Sequence, residues 1–389
     1  MARSRTTENH GPMTNRFALR CALAVAVAAF PARLAAQVPQ VSTDNTPFGA
    51  TSGEFLLLGA GARGTALGNA YSALATDISA LYYNPAGLAL MSRPGAMVGN
   101  YNYVAGTKYS WAGVAFPMSG GARAFGIQLG TFGFKDQPVY TVDAPDGNGS
   151  VYSVAETFAG ATFSQNFSDR FSAGITAKFL FDQLGDATGS AFAVDFGTHF
   201  HAMLGQKPIK MAFTVTNLGP GMGYSGAALN TQATRQQPAG EGEVPSQDQP
   251  ATLRTKAFPL PTTFRVSLGY DLMATTSNRL SLIGEFNQPN NNRAGFSMGG
   301  EYAWNRIGGT AFGGALRGSY SYAAANNGTD EGLSGLVATS VSDKASLQGM
   351  AAGGGLNYAS GNFNLGFDYA FKYMGVLGPT NFLSITLGW

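Results

Sequence analysis

From residue 94 to the C-terminus, apolar residues recur at every second position, the period of a strand whose two faces meet different surroundings. The segment 382–389 puts Leu383, Ile385, Leu387 and Trp389 on one face and Ser384, Thr386 and Gly388 on the other. Before it, Phe363, Leu365, Phe367, Tyr369 and Phe371 alternate with Asn364, Gly366, Asp368 and Ala370. The same alternation separates Phe192, Val194, Phe196, Thr198 and Phe200 from Ala193, Asp195, Gly197, His199 and His201. It also sets Phe264, Val266, Leu268, Tyr270 and Leu272 against Arg265, Ser267, Gly269 and Asp271. Such segments are expected at 94–104, 109–117, 123–134, 153–166, 170–182, 190–202, 208–218, 261–272, 279–288, 294–303, 311–322, 347–358, 362–372 and 380–389.

The connections obey a parity. Those after even-numbered segments are short: Met118–Ala122, Phe167–Asp169, Met203–Lys207, Met273–Asn278, Trp304–Thr310 and Ala359–Gly361. Every long one, 135–152, 219–260 and 323–346, follows an odd-numbered segment. Outer-membrane barrels join their strands by short periplasmic turns and longer extracellular loops. The pattern therefore predicts an all-β transmembrane chain, an antiparallel outer-membrane β-barrel of about 14 strands with both barrel ends in the periplasm. The proline-bearing stretch 219–260 becomes an external loop.

Composition sharpens this reading. Of 389 residues, 24 are basic and 22 acidic, and charged residues make up 12%, against roughly 25% in an ordinary soluble domain. Glycine accounts for 53 residues and aromatics for 12%. A soluble β-sandwich would carry more Lys and Glu on its exposed faces. A net charge of +2 gives no basic surface for nucleic acid. Mean hydropathy is −0.01, and beyond the N-terminus no apolar run reaches the ~18 residues of a spanning helix. Apolar outside and small or polar inside is the remaining solution, with lipid as the surroundings.

The first residues read as a secretory signal peptide. Basic residues end at Arg16 and Arg20, an apolar core runs from Cys21 to Phe30, and Leu34-Ala35-Ala36 closes it. Cleavage after about Ala36 removes the single cysteine, and either Met1 or Met13 serves as the start. The expected divisions are 1–36 signal peptide, 37–93 N-terminal extension and lumen plug, and 94–389 barrel. The plug itself is expected over 50–91, where Arg63 to Ala75 shows helical spacing and Asp77 stands ready to cap a second short helix. In it Pro85 drives Asn84 out of helical geometry and Gly87 permits a sharp turn.

The run from Arg63 through Gly68, Asp77, Tyr82, Tyr83, Asn84, Pro85, Ala86 and Gly87 to Leu88 resembles the opening of the PorV/PorQ family of outer-membrane proteins. That family is similar to FadL-type transporters of long-chain fatty acids, which share an Asn-Pro-Ala element in an N-terminal hatch. Further matches lie at Ala193–Gly197, Thr216–Pro220, Leu260–Arg265 and Gly299–Tyr302. A PorV/PorQ likeness implies a component of type IX secretion or surface assembly, with secreted proteins or secretion components as partners. A FadL likeness implies passage of a hydrophobic ligand. Trp389, the aromatic last residue of a closing strand, resembles the signal read by the barrel-assembly machinery.

Chemistry beyond this is sparse. Asp195, His199 and His201 share a strand face and have the ligand types of zinc, but the preferred reading is that they are polar residues lining the lumen. No Gly-x-Ser-x-Gly elbow is present, so no catalytic residue, metal or cofactor is assigned and the chain is read as a non-enzyme. Arg265 and Glu285 fall on the lumen faces of neighbouring segments, as do Glu301 and Arg317. Lys178, Asp182, Asp271, Asp368 and Lys372 join them. Mixed signs in a poorly hydrated lumen predict cross-strand pairing or contacts to the plug, with Arg63 and Asp77 as partners.

Overall fold

The structure, a computed structural model, describes residues 49–234, 248–306, 309–323 and 349–389. The expected signal peptide, residues 235–247 of the loop 219–260 and residues 324–346 of the loop 323–346 lie outside the described residues.

Seven strands open the sheet: β1 (Gly95–Asn102), β2 (Lys108–Met118), β3 (Arg123–Pro138), β4 (Val151–Ser168), β5 (Phe171–Leu184), β6 (Ala187–Leu204) and β7 (Lys207–Leu218). Three short strands follow within the long connection: β8 (Tyr224–Gly226), β9 (Asn230–Thr234) and β10 (Asp248–Thr252). The sheet then resumes with β11 (Thr263–Ala274), β12 (Asn278–Pro289), β13 (Gly295–Trp304), β14 (Phe312–Ala323), β15 (Met350–Ser360), β16 (Phe363–Tyr373) and β17 (Pro379–Gly388). Each pairs antiparallel with its sequence neighbour, β7 with β11, and β1 with β17, so the 14 long strands form a closed ring. Closure leaves no sheet edge, which is what hydrocarbon surroundings demand of a β structure. Each expected segment corresponds to one strand. β3 runs four residues past its expected end and β4 two residues past each of its own, and the expected external loop carries strand structure of its own, β9 pairing with β10 and β8 with β6.

The outward positions are large and apolar. Phe192 is 65% exposed, Leu316 61% and Leu383 47%, and comparable residues ring the barrel. On a water-soluble protein so continuous an apolar surface would drive aggregation. Here it is the lipid-facing girdle. Trp389 sits at the short-turn end, its backbone N–H donating to the Pro94 carbonyl at 3.2 Å and its ring meeting Phe116.

Inside the ring lies the segment 49–93. It has two short helices, α1 (Ala62–Ala66) and α2 (Ala80–Tyr83), and 3-10 turns at Glu54–Leu57 and Pro85–Leu90. The helix expected from Arg63 to Ala75 stops early because Gly68 and Asn69 turn left-handed, at φ 68° and 59°. Asn69 can adopt this state because its short polar side chain tolerates it. Asp77 accepts from the Ser79 N–H at 2.9 Å, just ahead of α2. Asn84 is extended at φ −160°. Gly87 is not at a positive φ; it is needed because a Cβ there would sit 1.8 Å from the Ala75 carbonyl oxygen.

Candidate functional site

The inner segment enters at the long-loop mouth. There the Ser52 N–H donates to the Pro259 carbonyl at 3.0 Å, and the Asn291 amide donates to Thr51 at 3.1 Å. It leaves at the short-turn mouth, where Asn166 donates to the carbonyls of Ala89 and Gly121 and Arg93 donates to that of Gly361. A non-repetitive backbone buried this way leaves many N–H and C=O groups without helix or sheet partners, and each must be satisfied. The wall satisfies them with its own side chains.

Serine hydroxyls do most of this. Ser384 of β17 accepts from the Ala62 N–H at 3.1 Å, while Ser319 and Ser321 of β14 donate to the carbonyls of Ala66 and Gly68 at 2.9 and 3.1 Å. Across the lumen, Ser164 of β4 accepts from the Ala89 N–H at 3.1 Å and donates to the Ala86 carbonyl at 3.0 Å. Glu285 of β12 accepts from the Ser72 N–H at 3.0 Å, and Gln128 of β3 donates to the Leu81 carbonyl at 2.6 Å. His199 of β6 lies 3.0 Å from the Ala73 carbonyl.

The Asn84-Pro85 turn has a seat in the wall. A Cβ on Gly197 of β6 would stand 2.2 Å from Asn84 Oδ1, and one on Gly174 of β5 2.5 Å from the Pro85 carbonyl carbon. These two glycines form a notch that larger residues would fill. Within it Asn84 accepts from the Ala86 N–H at 3.1 Å and donates to the carbonyls of Ser72 and Thr198 at 3.0 and 3.1 Å. Tyr82 donates to the Leu56 carbonyl at 2.7 Å and accepts from the Gly59 N–H, and Tyr83 donates to Asn69 at 3.0 Å. Their rings meet edge to face, with Tyr71 packed on Tyr83. Burial pushes the Tyr82 phenol up to about 12, so it works as a neutral hydrogen-bonding group.

Among the described residues the lumen charges form two clusters and two further pairs. Glu301, 1% exposed on its side chain, accepts from Arg63, Arg279 and Arg317, each at 2.8 Å. Arg63 also meets Asp77 at 2.8 Å, and Arg317 meets Asp368 at 2.6 Å. Three cations and three carboxylates thus converge where Arg63 of α1 reaches side chains of β12, β13, β14 and β16. On the other side Lys178 contacts Asp195 at 2.7 Å and donates to Asn217 at 2.9 Å, whose own N–H donates to Asp195 at 2.8 Å. Asn217 lies at φ 60° where β7 bulges against β6. Arg265 and Glu285 are 3.9 Å apart, and Asp271 pairs with Lys210 at 3.1 Å. Lys372 lies opposite Ala351 in register. Asp195, His199 and His201 do not converge on a common point: Asp195 turns to Lys178 and His199 to the inner segment.

The sequence assigns no role to Glu156, Gly174 or the wall serines, and Gly197 enters only within the Ala193–Gly197 match. Their signal was positional: small or polar residues at lumen positions opposite the Ala-rich segment.

No protein-family model matches the chain, and no curated protein matches it. Solved structures of the same shape include the toluene transporter TbuX of Ralstonia pickettii, with TM-score 0.50 and 12% identity over 86% of this chain and 98% of that one. The CymD monoaromatic hydrocarbon channel gives 0.52 and 12% identity over 85% and 97%. A TodX monoaromatic hydrocarbon channel mutant gives 0.52 and 11% identity over 85% and 97%. At this identity the likeness establishes a fold. It is that of bacterial outer-membrane barrels, and the apolar girdle is the surface that such a membrane requires.

Proposed function

We propose that the chain is a FadL-like outer-membrane channel for hydrophobic small molecules, with 50–91 as the plug of its lumen. The observation behind this is the inner segment itself, bonded to wall strands on opposite sides of the ring. A general porin keeps an open, wet lumen; here the centre is occupied by Leu67, Tyr71, Leu81 and Leu88, each without solvent contact. The shared fold with monoaromatic hydrocarbon channels favours the transport reading over the secretion and surface-assembly reading. The latter rests on the PorV/PorQ-like motif at 63–88 and has no counterpart among the comparisons. In the transport reading the partners are outer-membrane lipid around the girdle, the barrel-assembly machinery acting on the strand that ends in Trp389, and a hydrophobic ligand. The segment 1–36 is the leader removed on export, with 37–93 and 94–389 as plug-bearing extension and barrel.

The test is uptake of ethylbenzene by vesicles with and without the purified barrel, beside ion conductance in planar bilayers. The intact barrel should speed ethylbenzene entry while staying nearly closed to ions, and deletion of 50–91 should open an ionic conductance. An intact barrel that speeds no hydrophobic solute, or a deletion that inserts yet stays closed, overturns the reading.

A further inference from the structure

On the lumen face one register row crosses neighbouring strands: Phe382, Tyr101, Tyr109, Phe132, Glu156 and Asp182. Aromatic rings give way to two carboxylates directly opposite one another on β4 and β5. Asp182 is 0% exposed; one oxygen accepts from the Tyr224 hydroxyl at 3.0 Å and the other, Oδ1, has no hydrogen-bond partner. Glu156 is half-buried and reachable from the long-loop mouth. Among the described residues neither acid has an ion-pair partner. Lys178, below Asp182 on the same face of β5, is committed to Asp195 at 2.7 Å and to Asn217. Glu54 of the inner segment adds a further negative charge close enough to act on Glu156.

Two side-by-side carboxylates in a partly dry wall repel each other, and an unmatched buried acceptor is costly. A cation between them removes both costs. Among the described residues no three acids or histidines converge as a metal site requires. The neighbours are instead rings. Phe132 and Tyr103, both half-buried, stand 6.2 Å apart at 70° and form an aromatic corner beside Glu156. An ammonium has three donors for such acceptors, and ring faces attract both its charge and an attached aromatic body.

We infer that the long-loop mouth binds a protonated amine carried on an aromatic or other hydrophobic body, with the ammonium between Glu156 and Asp182 and the body against Phe132 and Tyr103. The inference rests on the small-molecule channel reading and names the class of molecule that this mouth selects. A neutral hydrocarbon would use only the rings; an organic acid would be repelled.

Calorimetry on the full-length barrel in micelles should compare 2-phenylethylamine, ethylbenzene and 3-phenylpropionate. The amine should bind about tenfold or more tighter than the other two. Glu156→Gln and Asp182→Asn should bring it to parity with ethylbenzene in barrels that keep their heat-modifiable mobility. Should those variants fail to insert, added salt on the wild-type barrel replaces them, and should weaken the amine while leaving ethylbenzene unchanged. Equal binding of amine and ethylbenzene, or a preference that survives both substitutions or high salt, overturns the inference. If ethylbenzene still enters vesicles in that case, only the amine site falls. If no hydrophobic solute enters, the channel reading falls with it.

Discussion

Replacing Gly197 with alanine is the sharpest perturbation of plug docking. The new Cβ would lie 2.2 Å from Asn84 Oδ1 and 2.8 Å from Pro85 Cδ. To reach ordinary contact, the turn must withdraw by roughly 1 Å. The bond from the Asn84 amide to the Thr198 carbonyl, now 3.1 Å, then lengthens past the useful range. Overpacking of this kind costs about 1–3 kcal/mol and the lost bond about 1 kcal/mol more. A total of about 2–4 kcal/mol shifts the docked-to-displaced ratio by roughly 30- to 1,000-fold. The strand need not move, so the barrel should insert normally and keep its heat-modifiable mobility. Single-channel recording should show brief openings absent from the wild type. Gly318→Ala is the control, because a Cβ there meets nothing within 4 Å. If Gly197→Ala is as quiet and as heat-stable as Gly318→Ala, the Asn84-Pro85 turn is not seated in the notch, and the reasoning fails.

Other outcomes follow from the charged and phenolic groups. Glu301→Gln should destabilise the barrel by about 3–5 kcal/mol, since Arg63 and Arg317 lose their common carboxylate while still buried. A lower midpoint of the heat-modifiability transition checks this, and an unchanged midpoint counts against the network. Tyr82 is held protonated up to about 12, against ~10 in an unfolded chain. Its stabilising effect is therefore complete below pH ~10 and declines as pH rises from there towards 12. Alkaline titration in bilayers should show conductance growing in that window, and a trace flat to pH ~12 would contradict it.

The strands were readable because the lipid girdle imposes strict alternation, so period two marks each one. That signal fades where β3 and β4 rise beyond the girdle: around Lys135 and Asp136 both faces meet water and nothing enforces a pattern. The inner segment was readable as a compact unit, but not its path, since Gly68 and Asn69 turn the chain in a way helical spacing does not reveal. For the candidate site, sequence placed Arg265, Glu285, Glu301 and Arg317 on lumen faces. It could not show that Glu301 gathers three arginines or that Asp195 turns to Lys178, because those distances depend on how the ring closes. The notch glycines looked like many others, and only the turn resting on them sets Gly174 and Gly197 apart.

The course of the inner segment bears on how the molecule is made. A chain that comes in at one mouth, near Thr51, and leaves at the other, near Pro94, to become β1 is a cord passed through a hoop of its own making. The seam between β1 and β17 completes the hoop, and Ser384, on the strand that makes it, is bonded to Ala62 of the cord. Either the hoop is fastened around a cord already in position, or everything upstream must be drawn through a finished opening crowded by Tyr101, Tyr109 and Phe158. The first order needs no such passage. In it the cord serves as a former on which the last strand is laid, and a variant that frees it from that strand, such as Ser384→Ala, would slow closure of the seam.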